Sequence, residues 1–207
     1  RVLEPSNRVS TRYNLLDIPN DCRQKMIFVG ADNKVIDQKH IYWKSKASTS
    51  LSEIVPSKGI FEKEDGVFLV GPGEVVLNNS FKFPAASSVV IQPGTTIKLG
   101  DGVSVHASGN FSAVGTKSEP IIIKRSLKDK PFGSVALIGD PQNPIQVTLS
   151  NFKLEGGSKA EIESVYFSSQ MSIHGAVVDI TDSSFSNSVS DDGLNVKYSK
   201  VVIANSE

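Results

Sequence analysis

Residues 89–105 of the chain read VVIQPGTTIKLGDGVSV, and this stretch decides the fold. It contains three short apolar-x-apolar runs, VVI (89–91), IKL (97–99) and VSV (103–105), whose first and third side chains share one face of a strand. The QPGTT and GDG segments between them are turn sequences too short to contain helices. The stretch therefore predicts three strands, either in an ordinary hairpin sheet or in one coil of a repeating structure.

The same apolar-x-apolar triplet recurs in three interleaved series with spacings of 22 to 26 residues in the first. The first series is Val75-x-Leu77, Ile97-x-Leu99, Ile121-x-Ile123, Val147-x-Leu149, Met171-x-Ile173 and Leu194-x-Val196. The second is Phe81-x-Phe83, Val103-x-Val105, a gap, Phe152-x-Leu154, Val178-x-Ile180 and Val201-x-Ile203. The third is Val89-x-Ile91, Phe111-x-Ala113, Val135-x-Leu137, Val165-x-Phe167 and the single Phe185. We interpret each series as one parallel sheet of a solenoid with about six coils.

An antiparallel sandwich or jelly roll is the alternative, because it also gives short strands separated by turns. The opening coil carries a more specific signal. VVIQPGTTIKLG followed by VHASGNFSAVGTKSEPIIIK resembles an opening of the right-handed parallel β-helices of the pectin-lyase-like superfamily. This resemblance covers residues 64–207 and implies an all-β, right-handed three-sheet parallel β-helix in a secreted or cell-envelope protein. Because one fold hosts many activities, it says little about function.

Residues 1–63 do not follow the repeat, and we interpret them as a small β-rich N-terminal cap on the first coil. DNK at 32–34 predicts a hairpin connection, and a capping-box pattern suggests a short helix at 50–54. The alternative is a separate small domain. At the other end, residues 201–207 leave the last coil uncovered, so we expect the natural protein to continue past Glu207.

Composition excludes several functional classes. The 22 basic and 22 acidic residues cancel, so the chain as a whole has no electrostatic footprint for nucleic acid. No apolar run is long enough to span a membrane. Cys22 is the only cysteine, and no metal-binding, nucleotide-binding or hydrolase-elbow motif is present, so the sequence predicts no structural zinc site.

In a β-helix the outward positions and turns carry function. The predicted outward residues are mostly small and polar, and they include Ser104, Ala136, Tyr166 and Ser172. Two groups among the charged residues are candidate binding sites. The acidic group is Asp179, Asp182, Asp191 and Asp192, and the basic group is Lys124, Arg125, Lys128 and Lys130.

Each group has a specific chemistry and an ordinary alternative. Neighbouring carboxylates can bind Ca²⁺ or share acid–base work, although SDDG at 190–193 is also a common turn sequence. The basic run KRSLKDK at 124–130 fits an acidic polysaccharide or the base of a uronate lyase, although charged loops are usually only solvated.

These observations lead to one functional hypothesis with two alternatives. The leading hypothesis is a non-catalytic β-helix, extracellular or in the cell envelope, whose surface binds a polysaccharide or a protein partner. The first alternative is a polysaccharide-active lyase or glycosidase whose active site is incomplete in this chain. The second is an adhesin, phage or effector protein that uses the solenoid as a rod.

Overall fold

The computed structural model describes residues 23–29, 35–42, 52–53 and 58–207. The chain divides into two compact units, residues 1–47 and residues 48–207. Nearly all regular structure consists of β-strands, numbered here β1 to β22 in chain order, and the described residues contain a single 3₁₀ turn, Glu64–Gly66. The prediction of an all-β fold is therefore confirmed.

The first unit contains a hairpin of two antiparallel strands, β1 (Arg23–Val29) and β2 (Val35–Tyr42). Arg23 lies opposite Tyr42 at the open end, and Val29 lies opposite Val35 beside the connection. The DNK connection itself lies outside the described residues, but the pairing of the flanking strands confirms the predicted hairpin.

The second unit contains three main sheets, in which every strand pair except β4–β5 is parallel. Sheet I consists of β3 (Ser52–Glu53), β7 (Phe81–Lys82), β10 (Val105–Ala107), β13 (Val135–Ile138), β18 (Ser169–His174) and β21 (Asp192–Lys197). Sheet II consists of β4 (Ile60–Lys63), β5 (Val67–Val70), β8 (Ser88–Ile91), β11 (Phe111–Val114), β14 (Ile145–Ser150), β19 (Ala176–Thr181) and β22 (Lys200–Ala204). Sheet III consists of β6 (Gly73–Leu77), β9 (Thr95–Leu99), β12 (Ile121–Arg125), β15 (Phe152–Glu155) and β20 (Ser184–Ser186).

The chain visits the three sheets in rotation. From β6 onward successive strands belong to sheets III, I and II in turn, and the rotation is interrupted only by a hairpin of β16 (Ala160–Ile162) and β17 (Val165–Phe167). The stretch at 89–105 therefore contributes to three different sheets and forms no hairpin. This arrangement of parallel sheets is compatible with a β-helix.

Apolar side chains from the three sheets form one continuous core. Strand pairing places them in ladders, so that each side chain packs against its counterpart in the next repeat. In sheet III the ladder runs Val75, Ile97, Ile123, Leu154 and Phe185. The alternation along β9 and β14, with every second side chain buried, follows from the two-residue period of a strand.

The predicted assignment of triplets to sheets is correct as far as residue 125 and wrong beyond it. Ile121-x-Ile123 lies in sheet III, Val147-x-Leu149 in sheet II and Met171-x-Ile173 in sheet I, although the sequence analysis placed all three in one series. The reason is that repeat length varies. The sheet I ladder Phe81, Val105, Val135, Met171 and Leu194 advances by 24, 30, 36 and 23 residues.

The predicted exposure of Ser104, Ala136 and Ser172 is wrong, since all three are buried. Ser104 Oγ accepts the Ser134 N–H at 3.1 Å, and Ser172 Oγ shares a hydrogen bond of 2.7 Å with Ser169 Oγ. Ala136 packs against Ile162 and Phe167 of the hairpin in a small second core, separate from the main one. The hairpin thus covers part of the outer face of sheet I.

The short helix predicted at 50–54 is also wrong. Ser52–Glu53 forms strand β3, which lies parallel to β7 with Ser52 opposite Phe81 and Glu53 opposite Lys82. A helix of one turn gains too few hydrogen bonds to offset the cost of nucleation, whereas the edge of sheet I offers ready partners.

Candidate functional site

A cleft of about 380 Å³ opens on the second unit between one end of sheet I and the β16–β17 hairpin. Four segments that are distant in sequence line it: Ser80, residues 101, 102 and 104, residues 131–133 and residues 158–162. Its volume falls within the range that is typical of small-molecule binding sites, about 300–1,000 Å³. This cleft is the candidate functional site.

Hydrogen bonds between neighbouring repeats fix the floor of the cleft. The Ser104 backbone N–H donates to Ser80 Oγ at 2.8 Å, and the Ser134 N–H donates to Ser104 Oγ at 3.1 Å. Backbone bonds join the same segments, with the Gly102 N–H donating to Pro131 O at 2.9 Å and the Gly133 N–H to Val103 O at 2.8 Å. The floor therefore extends the sheet I ladder, and the same kind of backbone hydrogen bonding holds it in place.

Gly133 is required by the close approach of the two chain segments that precede β10 and β13 at this floor. A Cβ atom at this position would lie 2.1 Å from Ser104 Oγ and 2.9 Å from Gly102 O. Such distances are far inside van der Waals contact. Any larger residue would push the Ser104 hydroxyl out of the cleft floor.

The polar groups that line the cleft are of mixed type. Asp101 and Glu161 supply carboxylates, Lys159 supplies an ammonium group, and Ser80 and Ser104 supply hydroxyls. Among the described residues, each of these two hydroxyls accepts one backbone N–H, which leaves its own hydrogen available for a ligand. The lining offers both donors and acceptors, with little net charge.

The Asp101 carboxylate is paired with the basic loop. Lys130 Nζ lies 3.2 Å from Asp101 Oδ2, and both side chains are largely exposed. An exposed pair of this kind contributes at most about 1 kcal/mol to stability. Its main consequence is that Lys130 balances a charge at the mouth of the cleft.

An exposed aromatic residue stands beside the cleft. Tyr166 is 58% exposed and lies directly opposite Glu161 in the antiparallel register of the hairpin. Cross-strand pairs have Cβ atoms about 5 Å apart, so the phenol ring and the carboxylate present a joint polar and aromatic surface. Sequence reasoning placed Tyr166 outward, and the structure confirms this.

The structure separates the four basic residues predicted as a site. Lys124 is on β12 in sheet III, with Lys98 and Glu155 as its cross-strand neighbours. Arg125 ends that strand, and its side chain occupies the space beside Gly156. Lys128 lies in the exposed turn closed by the Leu127–Lys130 bridge. Of the four, only Lys130 reaches a residue of the cleft.

The four predicted acidic residues are also distributed over separate elements. Asp179 is an exposed residue of β19 in sheet II, and Asp182 follows that strand with a positive φ of 48°. Asp191 is exposed, whereas Asp192 begins β21 in sheet I and accepts from Asn195 Nδ2 at 3.3 Å. In the described part of the chain, no three His, Cys, Asp or Glu side chains are grouped so that they could hold a metal ion.

Sequence reasoning missed the residues of the cleft, which include Asp101, Lys159 and Glu161. No local sequence signal reveals the hairpin that follows Lys159 and contains Glu161. Glu163 and Ser164 have φ values of 48° and 66°, which define the two-residue primed turn of a tight β-hairpin. The usual Asn-Gly signature is replaced here by Glu-Ser, so the turn resembles an ordinary strand sequence.

A comparison with protein-family models, curated proteins and solved structures finds no match to this chain. Among the residues that the structure describes, no helix is long and apolar enough to cross a membrane.

Proposed function

We propose that residues 64–207 form a right-handed three-sheet parallel β-helix of the pectin-lyase-like class. Two observations support this. The chain visits three parallel sheets in rotation, and the ladder positions of one repeat pair directly with those of the next. The order in which strands join each sheet follows the order of the chain, as stacking coils require.

We further propose that the protein is a non-catalytic binding β-helix, extracellular or in the cell envelope, and that its ligand is a glycan. The observation that carries this proposal is the cleft formed by the hairpin and the end of sheet I. A sugar presents many hydroxyl groups that both donate and accept hydrogen bonds. The carboxylates of Asp101 and Glu161 would accept from them, and Ser80 and Ser104 would donate.

The charge of the cleft favours an uncharged glycan over an acidic one. Lys130 already pairs with Asp101, and Lys159 lines the same cleft as the second carboxylate, Glu161. Tyr166 adds an aromatic face next to Glu161, on which the apolar face of a pyranose ring could stack. A uronate polymer would bring like charges close to two carboxylates.

Calorimetric titration with a panel of neutral and uronate-containing oligosaccharides tests this proposal. We expect a neutral oligosaccharide to bind, and Glu161→Gln to weaken its binding about tenfold, because a hydrogen bond to a charged acceptor is worth about 1.5–3 kcal/mol. Asp179→Asn is the matched control, since Asp179 is an exposed acid that does not line the cleft. Equal affinity in both variants, or no binding across the panel, would reject the cleft as a glycan site.

A second candidate function is hydrolysis or cleavage of the glycan. It rests on a specific observation, because Asp101 and Glu161 line one cleft and a pair of carboxylates is what most glycoside hydrolysis requires. Incubation of the protein with the same panel, with and without Ca²⁺, would release reducing or unsaturated ends if this reading is correct. Loss of that release in both Asp101→Asn and Glu161→Gln would favour the enzyme over the binding protein.

A further inference from the structure

Apolar packing and one ion pair hold the β16–β17 hairpin on sheet I. Ile162 and Phe167 pack on Ala136, with Ala160 and Ile138 beside them, and the tip is anchored by an ion pair between Glu163 Oε1 and Lys82 Nζ at 2.7 Å. A two-stranded hairpin by itself is only marginally stable in water. Its structure therefore depends on these contacts with sheet I.

His106 lies beneath the tip of the hairpin. It projects from β10 with Lys82 and Ala136 as its cross-strand neighbours, and its Nδ1 lies 4.0 Å from Glu163 Oε2. Both ring nitrogens are buried, and among the described residues neither has a hydrogen-bond partner. A neutral imidazole tolerates this environment far better than an imidazolium with two unpaired N–H groups.

His174 lies at the base of the hairpin. Its ring stacks at a tilt on Phe167, with ring centroids 5.8 Å apart. On β18 it pairs in register with Ile138 on one side and Lys197 on the other, and its Nε2 is 3.4 Å from Asn195 Oδ1. The charged group that faces this ring is thus Lys197, a cation.

We propose that the β16–β17 hairpin is a pH-sensitive wall of the cleft, which stays docked on sheet I while His106 and His174 are neutral and is released when they are protonated. The proposal rests on the position of the two rings at opposite ends of the hairpin contact. The charged groups around them are Glu163 and Lys82 at His106, and Lys197 at His174.

The direction of the effect follows from the environment of each ring. Burial lowers the pKa of His106, and it outweighs the opposing attraction of Glu163; Lys82 lowers this pKa further. Burial also lowers the pKa of His174, against the hydrogen bond to Asn195 and together with Lys197. Release would expose both rings to water and bring their pKa values back toward about 6.5. The hairpin is therefore most firmly docked above about pH 6.5. Its docking weakens as the pH falls below this value and through the lowered pKa values of the two histidines.

The consequence for the cleft rests on the proposed function. Lys159, Ala160, Glu161 and Ile162 line one wall of the cleft, and all belong to the hairpin or to its approach. Release of the hairpin would remove this wall. A bound glycan would then be held near neutral pH and discharged in an acidic compartment or on acidification of the surroundings.

Hydrogen–deuterium exchange of the complete chain tests the pH dependence without any sugar, so that its failure is separate from failure of the glycan proposal. Exchange rates of residues 160–167 are measured at pH 7.5 and pH 5 and corrected for the intrinsic effect of pH. We expect the exchange protection of the hairpin to fall about tenfold at the lower pH. The reason is that each histidine takes up to one more proton in the released state than in the docked state, so that acid favours release. In the double variant with His106→Gln and His174→Gln, protection should be independent of pH.

Two controls complete the experiment. His40→Gln leaves both proposed histidines intact and should keep the full pH response. If the double variant does not fold, the imidazole C2 proton shifts of the unmodified protein still report both pKa values, and Phe167→Ala should move them up toward about 6.5. Hairpin protection that is unchanged between the two pH values, or a response that survives in the double variant, would overturn the proposal.

Discussion

Lys82 Nζ lies 2.7 Å from Glu163 Oε1, which joins the outer face of sheet I to the tip of a hairpin 81 residues further along the chain. Both side chains remain partly exposed, so the pair is worth at most about 1 kcal/mol. Its position matters more than its strength. It holds the turn of the hairpin directly over His106, whose ring it helps to cover.

The hairpin contact gives the first prediction. Phe167→Ala removes a buried ring from a small cluster, and substitutions of this kind cost about 3–5 kcal/mol where the site cannot collapse. We expect the hairpin to undock while the three sheets keep their thermal transition, since Phe167 is not part of the main core. Exchange protection of residues 160–167, compared with that of β18, is the measurement. Tyr166→Ala, on the exposed face, should leave both unchanged.

The main core gives the second prediction, which uses adjacent residues. Ile123 is 3% exposed in the sheet III ladder, and Ile122 points outward from the same strand. Ile123→Asp places an unpaired charge among apolar side chains and should cost about 4 kcal/mol or more. Ile122→Asp should cost far less. Thermal melting of the two variants checks this, and equal destabilisation would contradict the observed orientation of β12.

The glycine in the floor of the cleft gives the third prediction. Gly133→Ala would bring a methyl group against Ser104 Oγ and should destabilise the chain by about 1–3 kcal/mol, as overpacking typically does. Gly193→Ala is the matched control, since a Cβ atom there meets its nearest neighbour at an ordinary 3.4 Å. Urea unfolding of both variants gives the comparison. A cost at Gly193 as large as at Gly133 would show that glycine flexibility, and not the close approach, is responsible.

The charges around His106 give the fourth prediction. Lys82→Gln removes a cation that opposes protonation, so the pKa of His106 should rise. Glu163→Gln removes the attraction that favours protonation, so the pKa should fall further. Nuclear magnetic resonance titration of the imidazole C2 proton measures both shifts. Shifts of the same sign in the two variants would be incompatible with the observed geometry.

The partners of His174 give a fifth prediction with the same logic. Asn195→Leu removes the hydrogen bond that raises the pKa of His174, and the pKa should fall. Lys197→Gln removes a repulsive charge, and the pKa should rise. Since a lowered histidine pKa costs stability only in acid, the thermal transition of the Lys197→Gln variant should vary less between pH 7 and pH 5 than that of the unmodified chain.

Much of the fold could be predicted from sequence because strand faces have a period of two. The triplets at 75–77, 97–99 and 121–123 are strands of one sheet, as their spacing indicates. Beyond residue 125 the spacing fails, since loop residues between β12 and β13 and the β16–β17 hairpin lengthen the repeats. The period within a strand is set by backbone geometry, but nothing fixes the length of a surface connection.

The candidate site was not predictable in the same way. Asp101 lies in the predicted GDG turn, and Glu161 belongs to a segment that has no distinctive motif. The two acids line one cleft only because the β16–β17 hairpin packs on sheet I near the turn that contains Asp101. Such a site depends on long-range pairing, for which a single sequence carries no local signal.

The 36-residue advance from Val135 to Met171 still ends in direct pairing of these residues, although the advance from Met171 to Leu194 takes only 23 residues. The ladder thus accommodates the β16–β17 hairpin between β15 and β18 without loss of register. This position is an insertion site, at which we expect one loop to be exchangeable for another while the pairing of the sheets is kept. For an engineer it is the place to graft a foreign peptide, and in evolution it is where new specificity could be gained at little cost to folding.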